Sequence, residues 1–283
     1  MSTRTFPWLK GHGTQNDFVL LPDHDGSLHG DLDPTFVAAL CDRRRGLGAD
    51  GVLRVIRSEH VDAAQAGEAT WFMDYRNADG STSEMCGNGV RVFARHLLDE
   101  GLVRAGEPVA VGTRAGVRTV SVDDAGAYVV DMGVPRLMGE STVSPSGRTF
   151  AATGVDMGNP HAVAFVDDLA DAGPLTEEPG YDTGLYPDGV NVELVVRRGD
   201  HHVAMRVHER GSGETLSCGT GACAVAVATA LADGAARPTT YRVDLPGGTL
   251  VITWREDDHL LMAGPAEIVA SGEMRWHGEE SRA

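Results

Sequence analysis

Two runs of hydrophobic residues recur at the spacing of an α-helix, and each follows directly after a cysteine and a glycine-rich turn. The first run ends at Gly101, and its apolar face is formed by Val90, Phe93, Ala94 and Leu97. The second covers residues 222–231, is apolar on every side and ends at Gly234. A helix that is apolar all round is buried in a core. The pattern therefore predicts two buried helices, each with a cysteine at its N-terminus.

Shorter apolar runs predict strands through the rest of the chain. The predicted strands are residues 5–10, 18–21, 52–56, 71–75, 109–111, 117–122, 127–131, 162–166, 192–196, 203–207, 241–245 and 250–254. One more helix is predicted from Asp33-Pro34 to Gly46, because aspartate followed by proline is a frequent helix start. Its apolar face includes Cys41, which places that thiol in the core. Residues 59–68 and 174–189 are predicted loops, and the tail after Met262 is predicted to fray.

The two halves of the sequence repeat each other. In each half a glycine turn with an asparagine, Asn16 or Asn159, precedes an apolar strand. A second glycine turn leads into another strand, at Gly51 and at Gly189. Both halves then end with a strand, a polar loop, Cys-Gly-x-Gly and a buried helix. The repeat predicts two pseudo-symmetric domains whose cysteines face one cleft between them, with the second domain beginning near residue 132.

Composition narrows the class of protein. The chain has 283 residues, of which 42% are hydrophobic and 23% charged, as in globular proteins of one large or two ordinary domains. Its net charge of −17 argues against nucleic acid as a partner. No apolar run has the length of a membrane span, and the N-terminus has no signal-peptide pattern, so we expect no membrane partner and a cytoplasmic protein with reduced cysteines. No spacing of cysteine and histidine predicts a metal site, and no glycine motif predicts a nucleotide site.

The two Cys-Gly-x-Gly turns carry the candidate chemistry. The backbone N–H groups at a helix N-terminus favour negative charge, so they lower the pKa of a thiol and bind a carboxylate. Removing the α-proton of an amino acid without a cofactor needs a thiolate on one face of the carbon and a thiol on the other. Two such cysteines, Cys86 and Cys218, predict chemistry of this type on an α-amino or α-hydroxy acid.

Six segments of the chain, in the same order, resemble the diaminopimelate epimerase family. They are Gly13-Thr14-Gln15-Asn16-Asp17-Phe18, Asn77-Ala78-Asp79-Gly80-Ser81, Met85-Cys86-Gly87-Asn88-Gly89, Gly158-Asn159-Pro160-His161, Gly189-Val190-Asn191, and Glu209-Arg210-Gly211-Ser212-Gly213-Glu214-Thr215 through Cys218-Gly219-Thr220-Gly221. Each segment alone is a weak signal, whereas the ordered set is highly specific.

The resemblance implies a fold of the α/β class, of the α+β type. Each of two domains would wrap a β-sheet around a central helix, with the limits 1–131 plus 265–283 and 132–264. The implied activity is cofactor-independent epimerisation of LL-2,6-diaminopimelate to meso-diaminopimelate, which serves lysine and peptidoglycan precursor biosynthesis. The family also implies a homodimer.

The same resemblance implies roles for individual residues. Cys86 and Cys218 would be the catalytic acid and base, and Arg210 would pair with the distal carboxylate of the substrate. Further substrate contacts would come from Asn16, Asn77, Gly87, Asn88, Asn159, Asn191, Glu209, Gly219 and Thr220. His161 and Glu209 would tune the pKa values of the thiols.

Three positions depart from the pattern of the family. Many relatives have additional cysteines where this chain has Val92 and Ala162. Some have a substrate-contacting glutamine where this chain has Gly51, so that contact must come from another group here. None of the three departures changes either of the two predicted catalytic cysteines.

Other readings stay open at this level. A racemase acting on another amino acid, of the histidine or proline type, would use the same fold and two cysteines, although Asn88 and Glu209-Arg210 argue against the proline type. A thiol–disulfide redox couple is disfavoured by the absence of Cys-x-x-Cys. A protein that binds amino acids without catalysis would not need both thiols.

Overall fold

The structure is a computed structural model that describes residues 4–62 and 68–276. Two compact units divide the chain: the first contains the described residues among 1–13, 17–122 and 266–283, and the second contains 14–16 and 123–265. The domain limits given above remain a prediction beside this division. Part of the predicted loop 59–68 (residues 63–67) and the end of the predicted tail (277–283) lie outside the described residues.

The first unit combines two helices with a mixed sheet. The helices are α1 (Pro34–Cys41) and α2 (Gly87–Asp99). The strands are β1 (Arg4–Gly13), β2 (Asn16–Pro22), β3 (Gly51–Arg57), β4 (Trp71–Asn77), β5 (Val109–Thr113), β6 (Gly116–Val122) and β18 (Glu267–Trp276). Hydrogen bonding gives the sheet order β18-β1-β2-β3-β4-β5-β6.

The second unit has a larger sheet and one long helix, α3 (Gly219–Asp233). Its strands are β7 (Tyr128–Gly133), β8 (Arg136–Ser144), β9 (Phe150–Asp156), β10 (Pro160–Phe165), β11 (Gly180–Tyr181), β12 (Asn191–Gly199), β13 (His202–Glu209), β14 (Gly213–Thr215), β15 (Thr239–Leu245), β16 (Gly248–Trp254) and β17 (Leu260–Gly264). The main order is β8-β9-β10-β12-β13-β15-β16-β17-β7, with β11 on β8 and β14 on β13.

The strand directions repeat between the units. In the first, β2–β3 is parallel, β3–β4 antiparallel, β4–β5 parallel and β5–β6 antiparallel. In the second, β10–β12, β12–β13, β13–β15 and β15–β16 follow the same sequence of directions. The register agrees as well, because Phe18 lies opposite Gly51 and His161 lies opposite Asn191. This confirms the internal repeat expected from the sequence.

Each sheet surrounds one helix of its own unit. Strands β1, β3, β4, β5, β6 and β18 contact α2, while β9, β10, β12, β13, β15, β16 and β17 contact α3. Most of α3 is buried, consistent with its alanine- and valine-rich sequence, and only its last residues, 231–233, are exposed. Burying one valine or leucine side chain contributes roughly 1.5–3 kcal/mol. The two helices therefore form the centres of their units, as predicted.

The ends of these helices follow the sequence signals. Gly101 follows α2 with a left-handed φ of 64°, and Gly234 ends α3 with a φ of 60°. Asp33 caps α1 by accepting hydrogen bonds from the backbone N–H groups of Thr35 and Phe36. That helix ends earlier than predicted, at Cys41 rather than near Gly46, because Asp42 already has an extended backbone.

Strands β8, β9, β11, β14, β17 and β18 were not among the predicted strands, and the short β11 lies within the predicted loop 174–189. Most residues of β8 and β18 are exposed, so neither strand has a clear apolar face for sequence analysis to detect. Their partners hold them in place, since β18 pairs with nearly all of β1 and β8 pairs with β9. The tail after Met262, predicted to fray, therefore forms an ordered strand up to Trp276 and returns to the first unit.

The described helices include none that is long and apolar enough to cross a membrane.

Candidate active site

Cys86 is the N-cap residue of α2. Its backbone is extended, with φ −138° and ψ 119°, and its carbonyl oxygen accepts the first helical hydrogen bond from the N–H of Val90 at 2.8 Å. The residue is partly exposed, whereas the turn that follows it, Gly87 to Gly89, is buried. The thiol therefore lies at the positive end of the helix dipole.

Cys218 occupies the same position on α3. Its φ of −123° and ψ of 112° nearly repeat those of Cys86, and its carbonyl oxygen accepts from the N–H of Ala222 at 2.9 Å. Its exposure is only 5%. Both cysteines thus begin a central helix in the same backbone conformation, which confirms the prediction made from the two Cys-Gly-x-Gly turns.

The other two cysteines are not part of these turns. Cys41 is buried on α1, where burial raises the pKa of its thiol to about 11, and Cys223 is fully buried inside α3. All four cysteines fall in the described part of the chain, and none forms a disulfide. Their positions agree with the packing role predicted for Cys41.

Asn77, Cys86, Gly87 and Asn88 are the predicted site residues in the first unit. The Asn88 side chain is buried, and its Oδ1 accepts from Arg91 Nη2 at 2.9 Å. Asn77 ends β4 in a tight turn, where its N–H donates to the Ser81 carbonyl oxygen at 2.9 Å and its Nδ2 to Ser81 Oγ at 3.0 Å. These contacts give Asn77 the turn-forming role common for asparagine.

The second unit brings together a buried polar cluster around Cys218. His161 is fully buried and joins Glu193 Oε1 through Nδ1 at 2.6 Å and Asn159 Oδ1 through Nε2 at 3.1 Å. Glu193 was not among the predicted residues, because a glutamate inside an apolar strand gives no signal of its own. The parallel register of β10 and β12 places it beside the histidine.

Asn191 and Arg210 lie on neighbouring segments of the same unit. The Oδ1 of Asn191 accepts from the backbone N–H of Arg210 at 2.9 Å, so its Nδ2 is the group left to donate to a ligand. The Arg210 guanidinium is exposed and donates through Nη1 to the Asp188 carbonyl oxygen at 2.5 Å. It is therefore anchored at the surface of this unit by a backbone group.

The electrostatic environment of Cys218 differs from the sequence-based expectation. Burial is the largest cause that raises the pKa of its thiol well above the usual value, and Glu209 and Glu193 raise it further. Hydrogen bonds from Thr220 and from the Gly221 backbone oppose this increase without overcoming it. The expectation that the helix N-terminus lowers the pKa of this thiol is thus wrong for Cys218, because burial beside carboxylates outweighs the dipole.

Glu209 shares the same environment. Burial raises the pKa of its carboxyl group, while hydrogen bonds with Thr215 and Cys218 act in the opposite direction. A carboxylate in contact with the thiol can exchange a proton with it. The arrangement suits a cysteine that carries a proton at rest and has an acceptor at hand.

A strained hairpin lies next to this cluster. Thr14 and Gln15, between β1 and β2, have left-handed φ angles of 50° and 62°, which are unfavourable for threonine. The hydroxyl of Thr14 lies 2.5 Å from that of Ser217, the residue before Cys218, and both are buried. The partly buried Asn16 follows directly. Residues 14–16 belong to the second unit, so they bring Asn16 to the unit that carries Cys218.

The described residues contain no group of three or more histidine, cysteine, aspartate or glutamate side chains arranged to hold a metal ion. The ionisable groups around Cys218 serve one another as hydrogen-bond partners.

Solved structures with a similar fold include a hydroxyproline epimerase and proteins of the PhzF family. A hydroxyproline epimerase from Agrobacterium vitis, with bound trans-4-hydroxy-L-proline, matches 98% of this chain and 94% of its own with a TM-score of 0.68 and 15% identity. A phenazine biosynthesis protein of the PhzF family from Bacillus anthracis matches 96% of this chain and 99% of its own with the same TM-score and identity. At such low identity, these likenesses show the fold alone.

Sequence comparisons are more specific. A model of the family described as diaminopimelate epimerase matches residues 8–138 and 153–269. A diaminopimelate epimerase from Streptomyces coelicolor is 60% identical over 96% of both chains. One from Corynebacterium glutamicum is 48% identical over 96% of this chain and 99% of its own. This chain therefore belongs to the diaminopimelate epimerase family.

Proposed function

We propose that the protein interconverts LL-2,6-diaminopimelate and meso-diaminopimelate by proton transfer through Cys86 and Cys218. The observation that carries the proposal is the pair of cysteines that begin two central helices in matching backbone conformations. Membership in the family supplies the substrate. Each unit contains one of the two cysteines.

The reaction needs an acid and a base on opposite faces of the α-carbon, and two thiols can supply them. The α-carbon must lose a proton on one face and gain one on the other, so one cysteine must be a thiolate while the other is a thiol. The raised pKa of Cys218 makes it the proton donor in the ligand-free protein. Cys86 is then the base, and after inversion Cys86 holds the abstracted proton while Cys218 is left as a thiolate.

The turns after the cysteines stabilise the charge that develops. Backbone N–H groups of Gly87 and Asn88 on one side, and of Gly219 and Thr220 on the other, are suited to bind the carboxylate next to the reacting carbon. One preorganised donor of this kind contributes roughly 3–4 kcal/mol to the transition state. To restore the starting state, Cys86 releases the abstracted proton to solvent and the Cys218 thiolate takes up one proton from solvent, with Glu209, which is hydrogen-bonded to Cys218, as the group that relays it.

Remaining side chains recognise the distal end of the substrate. The Asn191 Nδ2, together with Asn77 and Asn159, is proposed to bind the distal amino-acid group, and Arg210 its carboxylate. Asn16 is proposed as a further substrate contact, and His161 as a group that tunes the thiols. These roles rest on the family and on the positions of the side chains in their own units.

Solvent labelling tests the function directly. LL-2,6-diaminopimelate in heavy water should yield meso product that carries deuterium at one α-carbon, while early recovered substrate remains protiated. This follows because the proton delivered by the second thiol comes from solvent. Binding without turnover, or equal early labelling of substrate and product, would contradict a reaction with two separate thiols.

Substrate specificity tests the role of Arg210. Lysine differs from diaminopimelate by the absence of the distal carboxylate, so it should react with a kcat/KM about 10- to 100-fold lower, since a hydrogen bond between charged groups contributes about 1.5–3 kcal/mol. Arg210→Ala should bring the kcat/KM for diaminopimelate close to that for lysine, whereas Arg198→Ala, at an exposed position near the end of β12, should not. Equal kcat/KM values for both substrates in the unaltered enzyme would favour a racemase of another amino acid.

We also propose a cytoplasmic location, where cysteines stay reduced, and a homodimeric state, which the family resemblance implies. Sedimentation equilibrium should give about twice the mass of one chain. A single-chain mass at micromolar concentration would exclude the dimer.

A further inference from the structure

A carboxylate without an assigned role lies in the core of the second unit. Glu193, the third residue of β12, is fully buried. Its Oε1 lies 2.6 Å from His161 Nδ1, and its Oε2 has no hydrogen-bond partner among the described residues. A buried carboxylate is costly unless its charge serves a purpose or is fully compensated.

The same carboxylate lies against the first turn of α3. A Cβ atom on Gly221 would come within 2.7 Å of Glu193 Oε1 and 3.3 Å of the Cys218 sulfur. Glycine at position 221 thus leaves room for Glu193 directly beside the turn that begins with the cysteine. The carboxylate and the thiol therefore share one small space.

The first unit provides an internal comparison. There a Cβ atom on Gly89, which matches Gly221, would meet Leu53 Cδ2 at 3.3 Å and Phe18 Cζ at 3.5 Å. Leu53 is the third residue of β3, as Glu193 is of β12. Phe18 and His161 also match, because each lies opposite the first residue of the next parallel strand. An apolar pair therefore suffices to support a Cys-Gly-x-Gly turn in this fold.

Packing alone therefore does not explain why the second unit has the ionisable pair His161 and Glu193 at these positions. We propose that Glu193 is a positioning residue for proton transfer at Cys218: it accepts a hydrogen bond from His161 Nδ1, directs Nε2 of that ring towards Asn159, and holds negative charge beside the thiol. This inference rests on the proposed epimerase function and adds a residue to its machinery.

The charges around Glu193 define its effect. The titratable groups that act together with it are His161 on β10, Glu209 on β13, Cys218 at the start of α3, and Tyr186 in the loop before β12. Glu193 is one of the causes that raise the pKa of the Cys218 thiol. Its negative charge therefore keeps Cys218 in the protonated form that donates to the substrate.

Glu193→Gln removes the charge and keeps the shape. We expect kcat to fall about 10- to 100-fold with KM changed less than threefold, a size of effect typical of residues that orient a reactive group. Glu177→Gln, at an exposed loop position of the same unit, is the matched control and should retain full activity.

Isotope exchange separates positioning from a general structural role. If proton donation by Cys218 is impaired, the proton that Cys86 has abstracted exchanges with heavy water, and Cys86 returns a deuteron to the original face of the carbanion. Glu193→Gln should then show deuterium incorporation without inversion in one diastereomer, the same one as in Cys218→Ala. An equal loss of exchange and inversion in both diastereomers would overturn the proposal.

Titration of the thiol gives a readout that does not require turnover. Thiolate absorbance of Cys218, measured as the difference from a Cys218→Ser background, should appear at lower pH in Glu193→Gln than in the unaltered protein. An unchanged titration would overturn the proposal. Because this measurement needs no substrate, it tests Glu193 even if diaminopimelate proves not to be epimerised.

A double variant tests whether a loss of activity could result from misfolding alone. His161→Phe with Glu193→Leu copies the Phe18 and Leu53 pair of the first unit, so the core should remain packed and the melting temperature should stay within a few degrees. Inversion should nevertheless fall at least as far as in Glu193→Gln. A folded double variant with full activity would show that the pair serves packing alone.

Discussion

Alanine at Cys86 or at Cys218 should each reduce epimerisation of LL-2,6-diaminopimelate by about 10²–10⁴-fold, the range expected for removal of one acid–base group. In the proposed reaction no other group shares the role of either cysteine, because one thiol removes the α-proton and the other supplies a proton to the opposite face. Chiral separation of the diaminopimelate isomers measures the rates directly.

The chain contains its own controls for this prediction. Cys41 and Cys223 are buried thiols that do not begin a helix, so Cys41→Ala and Cys223→Ala should leave kcat within a few-fold of the unaltered enzyme. Substantial turnover by Cys86→Ala or Cys218→Ala would instead mean that a single base, reaching both faces, performs the reaction. Comparable losses in all four variants would indicate unfolding.

The second large effect concerns the two glycines at the third position after each cysteine. Gly221→Ala should destabilise the protein by about 1–3 kcal/mol, the usual result of overpacking a core, because the new methyl group would lie 2.7 Å from the Glu193 carboxylate. To make room, Glu193 must leave His161. We therefore expect a fall in kcat similar to that of Glu193→Gln. Urea unfolding and steady-state kinetics measure the two effects.

Gly89→Ala is the matched substitution in the first unit. The nearest side-chain atom belongs to Leu53 at 3.3 Å, a contact that a shift of a few tenths of an ångström relieves, and alanine favours a helix over glycine by up to about 1 kcal/mol. Stability should thus change little. If Gly89→Ala and Gly221→Ala changed stability and kcat by the same amounts, the difference between the apolar pair of the first unit and the ionisable pair of the second would have no effect on function.

Several features were predictable because their signals are local. The spacing of Val90, Phe93 and Leu97 specified one central helix, and the apolar run after Cys218 specified the other. A helix start depends on the few residues around it, so the N-terminal positions of both cysteines followed from sequence. The repeat of glycine turns and strands likewise predicted the two matching units.

Other features depend on partners far away in the chain. β18 is mostly exposed and becomes a strand because β1 offers it a row of backbone hydrogen-bonding groups. Sequence periodicity detects a strand by its buried face, and β18 has almost none. Its order is a property of the pair rather than of its own residues.

For the site around Cys218, too, some features follow from the local sequence and others depend on the tertiary structure. The sequence by itself determined that two cysteines begin two buried helices after glycine turns, since helix capping and periodicity act over a few residues. The tertiary structure alone decided that His161 and Glu193 meet, because only the parallel register of β10 and β12 brings them to one place. It also decided that the pKa of Cys218 is raised, since the pKa of a buried thiol depends on the carboxylates and the low-polarity surroundings that the folded chain places around it.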